Sequence, residues 1–78
     1  MPHILGVDGN EFLHRVREAG KAKGVSVAVD YAAGKGSHAR LHFGGRVTTL
    51  KDRKKEIGPG LLLAMLKQLG LTKGDIGL

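Results

Sequence analysis

Two adjacent glycines, Gly44 and Gly45, separate two stretches of alternating apolar and polar residues, and this pattern restricts the middle of the chain to a β-hairpin. The alternation has the period of a strand with one buried face. The favoured two-residue turn needs positive φ at both central positions, which glycine adopts without steric cost. The expected cross-strand pairs are Phe43 with Arg46, Leu41 with Thr48 and Arg40 with Thr49, and the same ladder sets His38 opposite Lys51.

A further strand precedes the hairpin. Residues 25–31 alternate in the same way, with three valines and Tyr31 on the predicted buried face. The first hairpin strand follows over residues 38–43, after a glycine-bearing turn. In that strand three apolar residues point one way, whereas His38, Arg40 and His42 point the other way.

Two helices flank the strands. Residues 7–20 carry apolar side chains at helical spacing, with Asp8 as the N-cap and Gly20 as a left-handed end. A second helix begins at Pro59 and ends at Gly70 in a Schellman motif. The expected buried faces are Phe12, Leu13, Val16 and Ala19 in the first helix and Leu62, Met65, Leu66 and Leu69 in the second.

The order helix, strand, strand, strand, helix predicts an α+β fold. A three-stranded antiparallel sheet with both helices on one face buries both apolar stripes and leaves the other face open. We expect one domain over residues 7–71, with tails at residues 1–6 and 72–78. Leu61 and Leu63 lie beside the buried face of the second helix, where a wide buried stripe is a commoner explanation than a partner surface.

Charge and aromatic content bear on the partner. Thirteen Lys and Arg against seven Asp and Glu give a net charge of +6. Such a balance favours a polyanion or an acidic protein as the partner, although it also serves to keep a small protein in solution. The chain has three aromatic residues and no Trp, so a platform that stacks several bases in series is not expected.

Other composition features concern the compartment. The chain has no cysteine, which excludes disulfides and thiolate chemistry and suits a reducing cytoplasm. The longest apolar run, residues 61–66, is far shorter than the roughly 20 residues that cross a bilayer. We therefore expect a cytoplasmic protein without a membrane partner.

A basic loop at residues 34–40 delivers His38 to the start of a strand. Histidine exchanges protons near neutral pH, and the groups around it are of the kinds that hold a phosphate. RNA cleavage suits this set, because the ribose 2′-OH of the substrate is itself the nucleophile. The residues expected to contact the phosphate, in addition to the candidate acid or base His38, are Lys35, Gly36, Ser37, Arg40 and Lys51. The simpler alternative is that His38 is one exposed polar residue.

Other chemistries fit the spacing poorly. His38 and His42 share a strand face but lie about 13 Å apart at roughly 3.3 Å per residue, too far for one metal ion. Ser37 and His38 are sequence neighbours that point to opposite faces, and no acid is positioned to orient the imidazole. The loop also lacks the spacing of a nucleotide-binding P-loop. The sequence therefore predicts neither a metal site nor a cofactor.

Four short segments occur in a recognisable order. They are Gly-Lys-Gly-Ser-His at 34–38, Gly-Arg-Val-Thr at 45–48, Lys-Glu-Ile-Gly-Pro-Gly at 55–60 and Leu-Lys-Gln-Leu-Gly-Leu at 66–71. Together they resemble the HicA family of bacterial toxins over about residues 7–71. The Gly-Ser-His step and the last segment are the most specific parts of this resemblance.

The resemblance implies a fold like that of the double-stranded RNA-binding domain. It also implies an mRNA interferase, a metal-independent endoribonuclease whose essential histidine follows Gly-Ser, here His38. Members of the family are silenced by a HicB antitoxin that covers this histidine. Many members carry a second histidine shortly after the third strand, where this chain has Asp52.

The residues thus lead to an mRNA-cutting toxin as the first hypothesis. A non-catalytic module that binds double-stranded RNA through 2′-OH and phosphate contacts is the main alternative. A third interpretation is an adaptor that docks another protein through Leu61 and Leu63. Analysis of RNA products separates the first two, since only cleavage leaves new 5′ ends.

Overall fold

The computed structural model describes residues 7–31, 38–51 and 53–78. Its elements are α1 (Gly9–Lys23), β1 (Val27–Asp30), β2 (Ala39–Phe43), β3 (Arg46–Leu50), α2 (Pro59–Leu69) and a short 3-10 helix (Gly74–Ile76). The predicted α+β class and the order of its helices and strands are confirmed. Within the described ranges, no helix has both the length and the apolar character needed to span a membrane.

The sheet is antiparallel and has β2 in the middle. Its second ladder confirms the predicted hairpin register, and the last recorded pair is Ala39 with Leu50. His38 and Lys51 therefore lie one residue beyond the paired region. The prediction of positive φ at both turn glycines is wrong for Gly45, because only Gly44 has one, at 62°. A single positive φ at the first central position is typical of a type II′ turn.

The apolar side of the sheet and both helices form one core. All eight side chains expected on the two buried helix faces are buried, together with Leu41 and Phe43 of β2. β1 is shorter than predicted, and Tyr31, expected on its buried face, is 52% exposed because the strand ends at Asp30. Both helices start at the end of the sheet where β3 ends, since Gly9 and Leu61 lie beside Leu50.

The predicted helix end at Gly20 is wrong. α1 continues to Lys23, and Gly24, with a φ of 70°, is its left-handed cap. Gly20 is instead a contact point between helix and sheet. A Cβ atom there would lie 2.5 Å from Val27 Cγ2 and 2.8 Å from the Val25 carbonyl oxygen. Glycine therefore lets α1 approach β1 more closely than any other residue allows.

The end of α2 confirms the Schellman motif. The Leu71 amide donates to the Leu66 carbonyl at 2.9 Å, and the Gly70 amide donates to Lys67 at 3.1 Å. The Gln68 side chain accepts from the hydroxyl of buried Thr48 in β3, which satisfies a polar group in the core.

The C-terminal segment differs from expectation. Residues 72–78 are not a loose tail, because Ile76 joins the core and its carbonyl accepts a 2.9 Å hydrogen bond from Arg15. The connector after β3 exposes its charged side chains at residues 54–56, and its Arg53 carbonyl accepts a hydrogen bond from the Asn10 amide at 2.9 Å. Leu61 and Leu63 are 44% and 51% exposed. The prediction that a wide buried stripe of α2 includes them is therefore wrong.

Gly20→Ala is expected to destabilise the protein. Overpacking against β1 costs about 1–3 kcal/mol, which outweighs the roughly 1 kcal/mol that alanine gains over glycine inside a helix. Urea unfolding measures the difference. Gly60→Ala is the matched control, because its added Cβ meets nothing within 4 Å. Equal stability of the two variants would contradict the close helix–strand contact.

Asp75→Asn is expected to lower the Tm near neutral pH, and the loss should shrink in acid. The Thr72 amide donates to the Asp75 carboxylate at 2.9 Å, and Lys23 Nζ lies 3.2 Å from it. The Thr72 hydrogen bond and then Lys23 hold the pKa of Asp75 below its usual range. A carboxyl with a lowered folded-state pKa stabilises the fold above its unfolded pKa, and this contribution is lost as pH falls below about 4. A Tm difference that stays constant through that range would contradict the prediction.

Candidate functional site

The sheet face opposite the helices is open. Its side chains form cross-strand rows, because residues that are partners in both ladders lie side by side. One row consists of Ala28, His42 and Val47, and the next consists of Asp30, Arg40 and Thr49. Arg40 and Thr49 are exposed, whereas His42 is half-buried. The polar row lies nearer to the end of the sheet at which both helices start.

His38 is exposed and directly precedes β2. If the alternation of β2 continued for one residue, His38 would share the open face with Arg40, about 7 Å away at roughly 3.4 Å per residue. Lys51, also exposed, follows β3 at the same level. If the ladder spacing continued for one residue, the Cα atoms of His38 and Lys51 would be about 5 Å apart.

The structure describes three of the predicted site residues, His38, Arg40 and Lys51, all of them exposed and all at the end of the sheet where β3 ends. The other predicted phosphate contacts, Lys35, Gly36 and Ser37, lie outside the described residues, as does Asp52. The second histidine of the face, His42, lies one row beyond Arg40 and is flanked by Ala28 and Val47. Its half-buried position between two apolar neighbours makes His42 a poor candidate for proton transfer.

Several cationic side chains are exposed at this end of the sheet. Exposed lysines at 54 and 55 continue the basic surface into the connector. The first turn of α2 contains no acidic residue, and its N-cap Gly58 makes no side-chain hydrogen bond, so the partial positive charge of this helix end is not offset locally. Asp30, opposite Arg40, brings a carboxylate to the same row. Lysine, arginine and a helix N-terminus together favour an anion at this surface.

Three features of the site were missed from the sequence. Thr49 adds an exposed hydroxyl beside Arg40, and the register that pairs them was itself predicted. Tyr31 is exposed, and the Arg53 guanidinium carbon lies 4.8 Å from its ring centroid. Alternation alone suggested a buried Tyr31, and no local pattern links it to a residue 22 positions later.

The arrangement is suited to phosphate chemistry with one proton-transfer group. Cationic side chains neutralise the oxygens of a phosphodiester, and an exposed imidazole exchanges protons with a bound substrate. Across the parts of the chain that the structure describes, no three His, Cys, Asp or Glu side chains come together as a potential metal-ligand group. The exposed imidazole of His38 is a group of the kind that serves as a general acid or base.

Comparison with curated proteins finds a relative of known type. The chain is similar to a probable mRNA interferase HicA of Pseudomonas fluorescens (strain Pf0-1), with 42% identity over 52 residues. The matched region covers 65% of this chain and 80% of the relative. No family model matches the chain, and no solved structure matches it significantly.

Proposed function

The chain belongs to the HicA family of mRNA interferases, and from this we propose that it is the toxin of a toxin–antitoxin pair that cuts mRNA with His38 as its catalytic residue. The observation that supports the proposal is the exposure of His38 directly before β2, at the end of the sheet that also carries exposed Arg40 and Lys51. Family membership supplies the reaction class, whereas the assignment of individual residues rests on this geometry.

The proposed reaction uses the substrate's own nucleophile. The ribose 2′-oxygen attacks the adjacent phosphorus, the bond from phosphorus to the 5′-oxygen breaks, and the products are a 2′,3′-cyclic phosphate and a free 5′-OH. One proton leaves the 2′-OH and one is taken up by the departing 5′-oxygen. We assign one of these two transfers to His38, as base or as acid.

The neighbouring cations stabilise the charge that grows on the phosphate. Arg40 offers a planar guanidinium that holds two oxygens at once, and Lys51 offers a point charge at the same level. Lys35 and Ser37 precede His38 in the chain and are proposed as further phosphate contacts, with Gly36 allowing close approach of the backbone. Such interactions accelerate the reaction only where they strengthen as charge develops.

The proposed protein partner is a HicB-type antitoxin. A toxin with a net charge of +6 attracts an acidic surface, and complementary charge accelerates association and fixes its orientation. An antitoxin that covers the open sheet face would exclude mRNA from His38. Inhibition then requires occlusion of the site and no change in the toxin fold.

His38→Ala is expected to abolish RNA cleavage and growth inhibition. Loss of a general acid or base typically costs about 10²–10⁴-fold in rate. Because His38 is exposed and outside the strand, the free energy of unfolding should change by less than about 0.5 kcal/mol. The measurements are cleavage of a labelled single-stranded RNA and urea unfolding. His14→Ala, which removes an exposed histidine from the outer side of α1, is the matched control. Full activity of His38→Ala would move the active site elsewhere.

Cleavage is expected to persist in the presence of a chelator and to leave 5′-hydroxyl ends. Both results follow because the proposed mechanism needs only protein side chains and the substrate 2′-OH. Gel analysis of the products, with and without treatment by a kinase that labels 5′-hydroxyl ends, tests this point. A substrate with 2′-deoxyribose at the cleaved position is the control and should resist cleavage. Activity that disappears with chelator and returns with magnesium would refute metal independence, whereas binding without any cleavage would favour the non-catalytic alternative.

A further inference from the structure

We propose that Tyr31 and Arg53 form a stacking site for one nucleobase of a single-stranded RNA, next to the nucleotide whose phosphate lies at His38. The inference rests on the proposed function for the position of the scissile phosphate. The ligand of this site is the flat face of a base.

The first observation is the exposure of the tyrosine ring. Phe12 and Phe43 are 0% and 7% exposed in the core, whereas Tyr31 is 52% exposed. A ring left in water at the surface of a cationic protein is available to bases, since every base has a face that stacks on an aromatic side chain. Because the other two rings are buried, the site accommodates one base and not a series.

The second observation is the guanidinium of Arg53, whose central carbon lies 4.8 Å from the Tyr31 ring centroid. Arginine planes also stack on bases, so the pair offers two adjacent stacking groups and a positive charge. The Arg53 backbone is fixed by its hydrogen bond from Asn10 and by its close packing on Gly9. The guanidinium is therefore carried by an anchored segment of chain, which reduces the ordering cost of binding.

The third observation is position. Asp30, the last residue of β1, is the partner of Arg40, so Tyr31, which follows β1, and His38, which precedes β2, lie at the same end of the sheet. If strand spacings of about 4.8 Å across and 3.3 Å along continued for these two residues, the Cα atoms of Tyr31 and His38 would be roughly 6 Å apart. An RNA strand that crosses this end would bring a phosphate to His38 and a flanking base to Tyr31.

The test uses the full chain with His38→Ala, so that RNA is bound and not cut. The chain has one Tyr and no Trp, and its intrinsic emission therefore reports Tyr31 alone. Titration with a short single-stranded RNA is expected to quench this emission until it saturates. The Kd from quenching should equal the Kd measured by fluorescence anisotropy of the labelled RNA. Binding without quenching would overturn the proposal.

Variants separate stacking from charge. Tyr31→Ala should weaken RNA binding about 5- to 150-fold, the range of a lost base stack. The dependence of Kd on salt should not change, because no phosphate contact is lost. Tyr31→Phe should retain binding, and Arg53→Lys, which keeps the charge but not the plane, should weaken it. Leu63→Ala, equally exposed at 51%, is the control and should have no effect. Wild-type binding by Tyr31→Ala, or equal losses in Tyr31→Phe and Tyr31→Ala, would refute a stacking role.

Removal of a base from the RNA tests the same contact from the side of the ligand. One abasic nucleotide, moved along the oligonucleotide, should weaken binding at a single position, and this loss should disappear in Tyr31→Ala. Abasic losses that are independent of Tyr31 would contradict the proposal. These binding results do not depend on catalysis by His38. Quenching in a protein that never cuts RNA would refute only the proposed function, whereas cleavage without quenching would refute only the stacking site.

Discussion

The register of β2 is the constraint on which the rest of the molecule depends. The strand is paired on both sides, and its side chains alternate between the core and the open face. A slip of one residue would turn Arg40 into the core and expose Leu41, because the side-chain period of a strand is two. Burial of Leu41 and Phe43 against the helices opposes that slip. The hydrophobic effect that holds the sheet together therefore also sets the direction of the proposed catalytic face.

The segments that carry the family resemblance are mainly structural. Gly70 and Leu71 end α2, and the Gln68 side chain accepts a hydrogen bond from the hydroxyl of buried Thr48. Ile57 lies in the core and its amide donates to Val7 at 2.8 Å. The Gly-Ser-His segment is the one that carries the proposed catalytic residue. Similarity to a HicA protein thus establishes the scaffold more directly than the chemistry, and the assignment of His38 depends on its exposed position.

Local patterns were sufficient to predict most of the fold. Alternation around Gly44 gave the hairpin register, and helical spacing gave both buried faces, because these depend on residues close in sequence. Errors arose where distant segments meet. Gly20 resembles a helix end until β1 is seen to pack on it, and Ile76 lacks a periodic neighbour although it completes the core. The same limit concealed the Tyr31–Arg53 pair, which joins the end of β1 to the connector.

One face of the sheet packs against the helices and the other carries the proposed site, and this difference follows from the small size of the domain. Two helices are enough to cover one face of three strands, and among the described residues no further element of comparable size covers the other. The uncovered face carries few large apolar side chains, so its exposure to water costs little free energy. Most side chains on this face do not pack in the core. Charge and proton-transfer groups there can change without loss of the core. A protein that silences such a site needs only to cover it, and an acidic cover would meet the same cations that the proposed mechanism uses to bind phosphate.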